Sequence, residues 1–568
     1  LATPLPSGSH QIRIRFDTRI SLRDGVRLAA HVYQPAGAGP WPAVVVRTPY
    51  NKNNADTHEI GRWWAGRGYA YVIVDVRGRG DSEGDFTPYR RDGLDGYDTI
   101  EWVAAQPWCT GAVGTRGGSY LGHVQWLAAL EQPPHLRAMV VLVTPSDPFV
   151  EWPTGTHGPM HLCWLHLTAD RVNQYMEAVD WARVYEHLPL RTMDEQAGRH
   201  SAQWRTELDH TTRDEYWAPL CYQSRFERVT VPVLHISGWY DDEQIGTPLN
   251  YAGMRARGGS PQARAHQMLL MGPWGHAVNK TSKLGEVDFG PQAQIDLRAA
   301  EERWLARWLK DEDNGVEREP RVRLFVMGRN AWRDEDDWPL ARAVPTHFYL
   351  HSAGNANGVF GDGRLDRTAP GDEPPDRFTY DPRRPVPFIT EPLSSQIGGP
   401  DDYSALIRRG DLLWYVSEPL ASELEVTGPL RLELYAASSA RDTDFTALLC
   451  DVWPTGFAQR LADGIVRARF REGFDAERLI EPGRIYPYTI DLWHTSQVFQ
   501  PGHRIGLMIA SSSFPKFDRN LNTGESLADG VGLQTAEQTI LHSAEHPSCL
   551  VLPLVLADGA AETPGAGA

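Results

Sequence analysis

A chain of 568 residues with 41% hydrophobic and 23% charged side chains is long enough for several domains and has a globular balance, which excludes wholesale disorder. Its 56 Lys and Arg against 73 Asp and Glu give a formal charge of −17, so neither nucleic acid nor an anionic membrane is expected as a partner. No apolar run approaches the roughly 18 residues of a membrane span, and the start, Leu1-Ala2-Thr3-Pro4-Leu5-Pro6, lacks a basic-then-apolar signal pattern. A soluble protein is expected, cytoplasmic or secreted after removal of a targeting segment.

Along the chain, β-branched runs at 43–46, 71–74 and 139–143 have the length of buried parallel strands, and amphipathic segments at 97–105 and 121–130 read as helices between them. The pattern is a doubly wound α/β sheet. It pauses from about 145 to 228, where a helical stretch at 172–187 dominates, and resumes with strands at 231–236 and 267–271 and a charged amphipathic helix at 293–310. Asp311-Glu312-Asp313-Asn314-Gly315 is a polar breaker. Beyond it, β-rich runs at 322–326, 347–350, 430–435, 465–470, 485–492 and 505–509 alternate with Gly, Pro and Asp, the texture of a β-sandwich or jelly roll. The expected organisation is an α/β core (1–144 and 231–315), an inserted helical cap (145–230), a β domain (316–558) and a flexible tail (559–568). The five cysteines, Cys109, Cys163, Cys221, Cys450 and Cys549, are scattered without a CxxC pair and read as buried thiols.

Gly117-Gly118-Ser119-Tyr120-Leu121-Gly122 follows a strand at 112–115 and precedes a helix, the setting of a nucleophile elbow, although Leu121 stands where G-x-S-x-G requires glycine. Two later strands end in Gly238-Trp239-Tyr240-Asp241 and Gly272-Pro273-Trp274-Gly275-His276. Ser119, Asp241 and His276 thus occur in the order nucleophile, acid, base, each just past a strand's C-terminal end, where such a sheet presents its catalytic loops. Other motifs have plainer readings. Arg79-Gly80-Asp81 belongs to a turn-forming block, the acidic runs 311–313 and 334–337 are solvated, with only a weak calcium signal, and His157, His161 and His166 match no complete metal site by spacing, so no metal and no cofactor are expected.

The blocks Arg47-Thr48-Pro49-Tyr50-Asn51-Lys52, Asp75 to Gly84, the Ser119 hexapeptide and the Asp241 and His276 motifs resemble the cocaine esterase, α-amino-acid ester hydrolase and Xaa-Pro dipeptidyl-peptidase group of α/β-hydrolases. Segments 324–338 and Asp442-Thr443-Asp444-Phe445 resemble the β domain of the same group, so the likeness spans about 15–555. It implies an α/β-hydrolase core with an inserted helical cap and a C-terminal jelly roll, and it accounts for glycine lying three residues after the serine. It also implies an oxyanion hole built from the Tyr50 hydroxyl and the Tyr120 backbone N–H, two neutral donors aimed at charge that appears only in the tetrahedral state.

The expected activity is a cofactor-free serine hydrolase cleaving small-molecule carboxylic esters, and activated amides, through an acyl-enzyme on Ser119. Among the cap tryptophans Trp152, Trp164, Trp181, Trp204 and Trp217, the first two are taken as walls for a bulky apolar acyl group. Glu243 fits the acidic cluster with which amino-ester hydrolases of the group pair an α-ammonium, whereas Gln244 replaces a second carboxylate and weakens that reading. The alternatives are an Xaa-Pro dipeptidyl-peptidase, an acylase of β-lactams or amino-acid esters, and a non-catalytic carbohydrate-binding protein. The length disfavours peptidases with long N-terminal extensions, and retention of all four site residues disfavours the binding protein. A homo-oligomer is compatible with everything in the sequence.

Overall fold

The computed structural model describes residues 11–358, 360–390 and 397–555, so the tail expected at 559–568 lies outside the described residues. In the first layer, β1 (Ile12–Ser21) and β2 (Arg27–Pro35) form an antiparallel hairpin that the sequence reading missed. There follow β3 (Trp41–Thr48), α1 (Ala55–Ala65), β4 (Ala70–Asp75), α2 (Asp92–Ala104), β5 (Cys109–Gly118), α3 (Tyr120–Leu130) and β6 (Leu136–Leu142). The sheet continues with β7 (Val233–Gly238) and β8 (Gln267–Gly272) in the spatial order β1-β2-β4-β3-β5-β6-β7-β8, parallel from β4 onward. Helices cover both faces, which is why these strands are continuous apolar runs. Side-chain alternation sends Ala43 and Val45 into one core with Trp126 and Met254, and Val44 and Val46 into another with Trp304 and Leu305.

Two further strands, Val322–Val326 and Ala331–Glu335, extend this sheet, the first parallel to β8 and the second antiparallel to the first. The segment expected to open the β domain at 316 thus begins with two strands that pair with the first sheet. An alternating strand pattern carries no information about which sheet it joins, and here β8 offers an open edge. Leu324 and Phe325 are fully buried beside Trp239 and Leu269.

Between β6 and β7 lies the cap, with α4 (Pro148–Glu151), α5 (Pro159–Leu167), α6 (Trp181–Tyr185), α7 (Met193–Gln196) and α8 (Ala202–Asp209). The helix expected at 172–187 is reduced to a 3₁₀ turn, Met176–Ala178, and α6. The Asp180 side chain accepts the Arg183 N–H and so starts a new helix rather than continuing one, while Val172 and Tyr175 face solvent.

Apart from a two-stranded ribbon of Lys283–Leu284 and Val287–Asp288, the remaining strands of the described residues form a twelve-stranded, mainly antiparallel sheet folded over a core that includes Phe348, Leu432, Leu449, Ile490 and Leu507, a jelly-roll domain. It is tied to the cap through Arg467, fully buried, which pairs with Asp444 at 2.8 Å and Asp518 at 3.0 Å and donates to the Thr154 carbonyl at 3.0 Å. The five cysteines are buried and unbridged. Among the described residues no helix is long and apolar enough to cross a membrane.

Candidate active site

Ser119 joins β5 to α3 with φ 58° and ψ −130°, a conformation a non-glycine residue adopts only when its surroundings enforce it. The enforcement is visible: its N–H lies 3.0 Å from the Leu142 carbonyl and 2.8 Å from that of Val143, at the end of β6. A Cβ at Gly122 would sit 2.7 Å from Thr144 Oγ1, so glycine is needed there for α3 to pack against the chain after β6. Gly117, at φ +150°, is needed because a Cβ would meet that of Leu121 at 2.5 Å. The close approaches thus fall at Gly117 and Gly122, and the Leu121 Cβ occupies the space that the missing Cβ of Gly117 leaves.

Asp241 follows β7 and His276 follows β8. Their side chains meet at 2.8 Å, His276 Nδ1 to Asp241 Oδ1, and the other carboxylate oxygen accepts from Ser237 Oγ at 2.9 Å. An Nδ1–H donated to Asp241 leaves Nε2 as the accepting nitrogen. Burial opposes a charge on His276, but Glu243, Asp241 and Asp242 together hold its pKa well above the ordinary 6.5. The acid limb of kcat/KM, if this imidazole is the base, should accordingly lie above the usual histidine range, and Glu243→Gln should move it to lower pH because one stabilising negative charge is gone. A pH–rate profile of both enzymes checks this, and a limb that does not move would detach Glu243 from the imidazole.

Tyr50 follows β3. Its hydroxyl shares the cavity with Ser119 and accepts from Trp164 Nε1 at 2.9 Å, and burial pushes its pKa up to about 12, so it remains a neutral donor. The turn carrying it is held by Arg79, fully buried, which donates to the Pro49 carbonyl at 2.6 Å and to the Thr168 carbonyl of the cap at 2.9 Å. Arg79-Gly80-Asp81 is thus a brace for the site. The Tyr120 N–H is at the first turn of α3, where no intrahelical acceptor exists. Its ring points away, with the hydroxyl donating to Asp92 at 2.5 Å.

Ser119, Tyr50 and His276 open onto a cavity of about 380 Å³ that is also lined by Trp152, Trp164 and Trp217. Trp181 and Trp204 pack instead inside the cap. Besides Glu207 on α8, three carboxylates face the same space: Glu243, as expected, and Glu151 and Asp242, which sequence reasoning missed. Burial raises all three pKa values, that of Asp242 to about 6, and mutual repulsion adds to the effect. Asp242 could have been found by its adjacency to Asp241, whereas Glu151 had no local signal. Gln244 turns away and donates to the His494 carbonyl at 2.7 Å, a link to the jelly roll. That domain also supplies Ile397, Trp493, Lys516 and Phe517 to the cavity wall, which no linear motif announced.

A strained serine at a strand-to-helix turn, with an imidazole–carboxylate pair past the following strands, defines a serine hydrolase of the α/β-hydrolase fold. The comparisons agree. Residues 24–278 match the model of the X-Pro dipeptidyl-peptidase (S15) family, and 314–551 match the C-terminal non-catalytic domain of X-Pro dipeptidyl-peptidase. Cocaine esterase from Rhodococcus sp. (strain MB1 Bresler) is 37% identical over 94% of this chain and 97% of its own. An aminopeptidase from a marine sediment Thaumarchaeota archaeon superposes with a TM-score of 0.85 at 26% identity, covering 98% of both chains. An α-amino acid ester hydrolase does so with 0.83 at 25%, covering 97% and 98%. The chain belongs to this S15 family of α/β-hydrolases, with cocaine esterase among its relatives, and is an ester-hydrolysing serine enzyme.

Proposed function

We propose that Ser119 is the nucleophile, His276 the general base and then acid, Asp241 its orienting partner, and Tyr50 with the Tyr120 N–H the oxyanion hole. Ser119 Oγ attacks the ester carbonyl as its proton passes to His276 Nε2. The tetrahedral oxyanion is met by the two donors, the protonated imidazole returns the proton to the departing alcohol, and water activated by the same imidazole releases the acid.

The preferred acyl group is an aromatic or bulky apolar one bearing an ammonium near the carbonyl. The observation that carries this is the convergence of Glu151, Asp242 and Glu243 on one cavity beside His276, where Glu243 Oε2 is buried with no hydrogen-bond partner and Asp242 Oδ1 has only the imidazole of His276, at 3.7 Å and without a hydrogen bond. Buried carboxylate oxygens without a donor are costly unless a cation meets them. The likeness to an α-amino acid ester hydrolase points the same way, and Trp152 and Trp164 supply the apolar wall.

Matched methyl esters of phenylglycine and phenylacetic acid test the reading, since they differ only in the amine. A charge-assisted hydrogen bond worth about 1.5 to 3 kcal/mol predicts about a 10- to 100-fold higher kcat/KM for the amino ester. Glu243→Gln should erode that preference, and equal rates on the two esters would refute it. The aminopeptidase neighbour suggests amide cleavage from the same ammonium anchor, which amino-acid anilides would reveal.

A further inference from the structure

At another part of the cavity wall, away from the carboxylates just described, three metal-type ligands meet. His157 lies just before α5, His161 is in its first turn, and Glu207 comes from α8. All three line the cavity, and one donor atom from each lies within 4.8 Å of the others. His166, grouped with the two histidines by sequence, instead packs edge-on to Trp181. The third partner was invisible in the sequence because it lies 46 residues beyond His161, on another helix.

The geometry differs from that of an ordinary hydrogen-bonded pair. Both imidazole Nε2 atoms approach the same carboxylate oxygen, Glu207 Oε2, at 3.6 Å from His157 and 3.1 Å from His161, yet that oxygen accepts no hydrogen bond, and neither does His161 Nε2 make one. The rings are stacked with centroids 4.1 Å apart. Zinc–nitrogen and zinc–oxygen bonds of about 2.0 to 2.1 Å place neighbouring tetrahedral ligands about 3.3 Å apart, which the 3.6 and 3.1 Å from the two imidazoles to Glu207 Oε2 bracket. The other Glu207 oxygen is already engaged, accepting from Gln203 Nε2 at 2.7 Å, and Gln203 is itself fixed to the Tyr216 hydroxyl at 2.9 Å. Such outer partners orient a ligating carboxylate and leave one oxygen for the metal. The Glu207 side chain is 8% exposed, and an oxygen so buried, with two imidazole nitrogens at ion-pair distance but no hydrogen bond, is a place for a cation.

We propose that His157, His161 and Glu207 bind a divalent ion of the zinc class, with its fourth coordination position facing the cavity. His161 stacks on Trp164 at 5.6 Å, and Trp164 donates to the Tyr50 hydroxyl, so the ion sits one aromatic ring from the oxyanion donor. It takes no part in the acyl transfer proposed above. Its open position would hold an oxygen, nitrogen or sulfur donor at the distal end of a bound acyl group, adding a recognition point that the triad does not provide.

The test is metal binding by the full chain, stripped with a chelator and titrated with Zn²⁺ by calorimetry, then loaded with Co²⁺ for visible spectroscopy. One equivalent should bind at this site, with the intense visible bands of low-coordinate Co²⁺. His157→Asn/His161→Asn and Glu207→Gln should abolish it. Asp242→Asn and His347→Ala should retain it, since Asp241, Asp242 and His276, and His347, Glu433 and Cys549, are the other described groupings of such ligands. X-ray absorption of the zinc-loaded wild type gives an answer without any variant: two imidazoles and no sulfur support the site. No stoichiometric binding, one imidazole, a sulfur ligand, or binding that survives in the folded double variant would overturn it.

Discussion

Ser119→Ala should lower kcat by about 10⁵- to 10⁶-fold on any ester the enzyme turns over, the scale on which nucleophile removal acts in serine hydrolases whose catalytic residues work as a unit. The expectation rests on geometry. The residue sits at φ 58° with its N–H aimed at the Leu142 and Val143 carbonyls at the end of β6, and it lines one cavity with Tyr50 and His276. Such strain is retained only where it serves a purpose or the surroundings over-determine it. Alanine in the same turn keeps the backbone and the packing, so the variant should fold and melt like the parent, and a fluorophosphonate probe that labels the parent once should leave it unlabelled. Activity that persisted in a folded Ser119→Ala protein, or a label on another residue, would remove the serine from its assigned role. A residual rate is expected from the oxyanion donors and binding alone, which still orient an ester toward water.

The features legible in the sequence are those written in short range. Buried parallel strands announce themselves as β-branched runs, and the three strand-end motifs put Ser119, Asp241 and His276 at the C-terminal edge of the sheet. What stayed hidden was long-range. The pairing of Val322–Val326 with β8 depends on which edge is open, a property of the assembled sheet. Glu151 lies 32 residues after Ser119 in a cap whose helices are too short for a clear period, and it reaches the site only because α4 folds back over the cavity. Gln244 illustrates the same limit: by position it stands where a second carboxylate is expected, whereas its side chain is committed to the jelly roll, and Asp242 and Glu151 join Glu243 in the cavity. His157 and His161 were visible and incomplete, for Glu207 joins them through tertiary packing alone.

Tyr50→Phe should cost kcat on the order of 10²- to 10³-fold, about 3 to 4 kcal/mol, while leaving KM and the melting temperature nearly unchanged. The ground-state carbonyl carries little of the charge that this phenol is placed to meet, so binding loses little when the hydroxyl goes. Two observations make the loss specific to the donor. The ring is held by its surroundings, the turn beneath it being fixed by Arg79 on the Pro49 carbonyl at 2.6 Å, so phenylalanine keeps the packing. Trp164 Nε1 donates to the hydroxyl at 2.9 Å, which occupies one acceptor position of the oxygen and leaves its proton available to donate. In Tyr50→Phe the indole N–H loses its acceptor, and Trp164→Phe is the control that separates this effect: it removes the indole donor and keeps the phenol, and should reduce kcat far less than Tyr50→Phe does. Steady-state kinetics on an ester whose acylation limits turnover decide the matter. A kcat unchanged in Tyr50→Phe would take the phenol out of the oxyanion hole and leave the Tyr120 N–H to act with a donor elsewhere in the cavity.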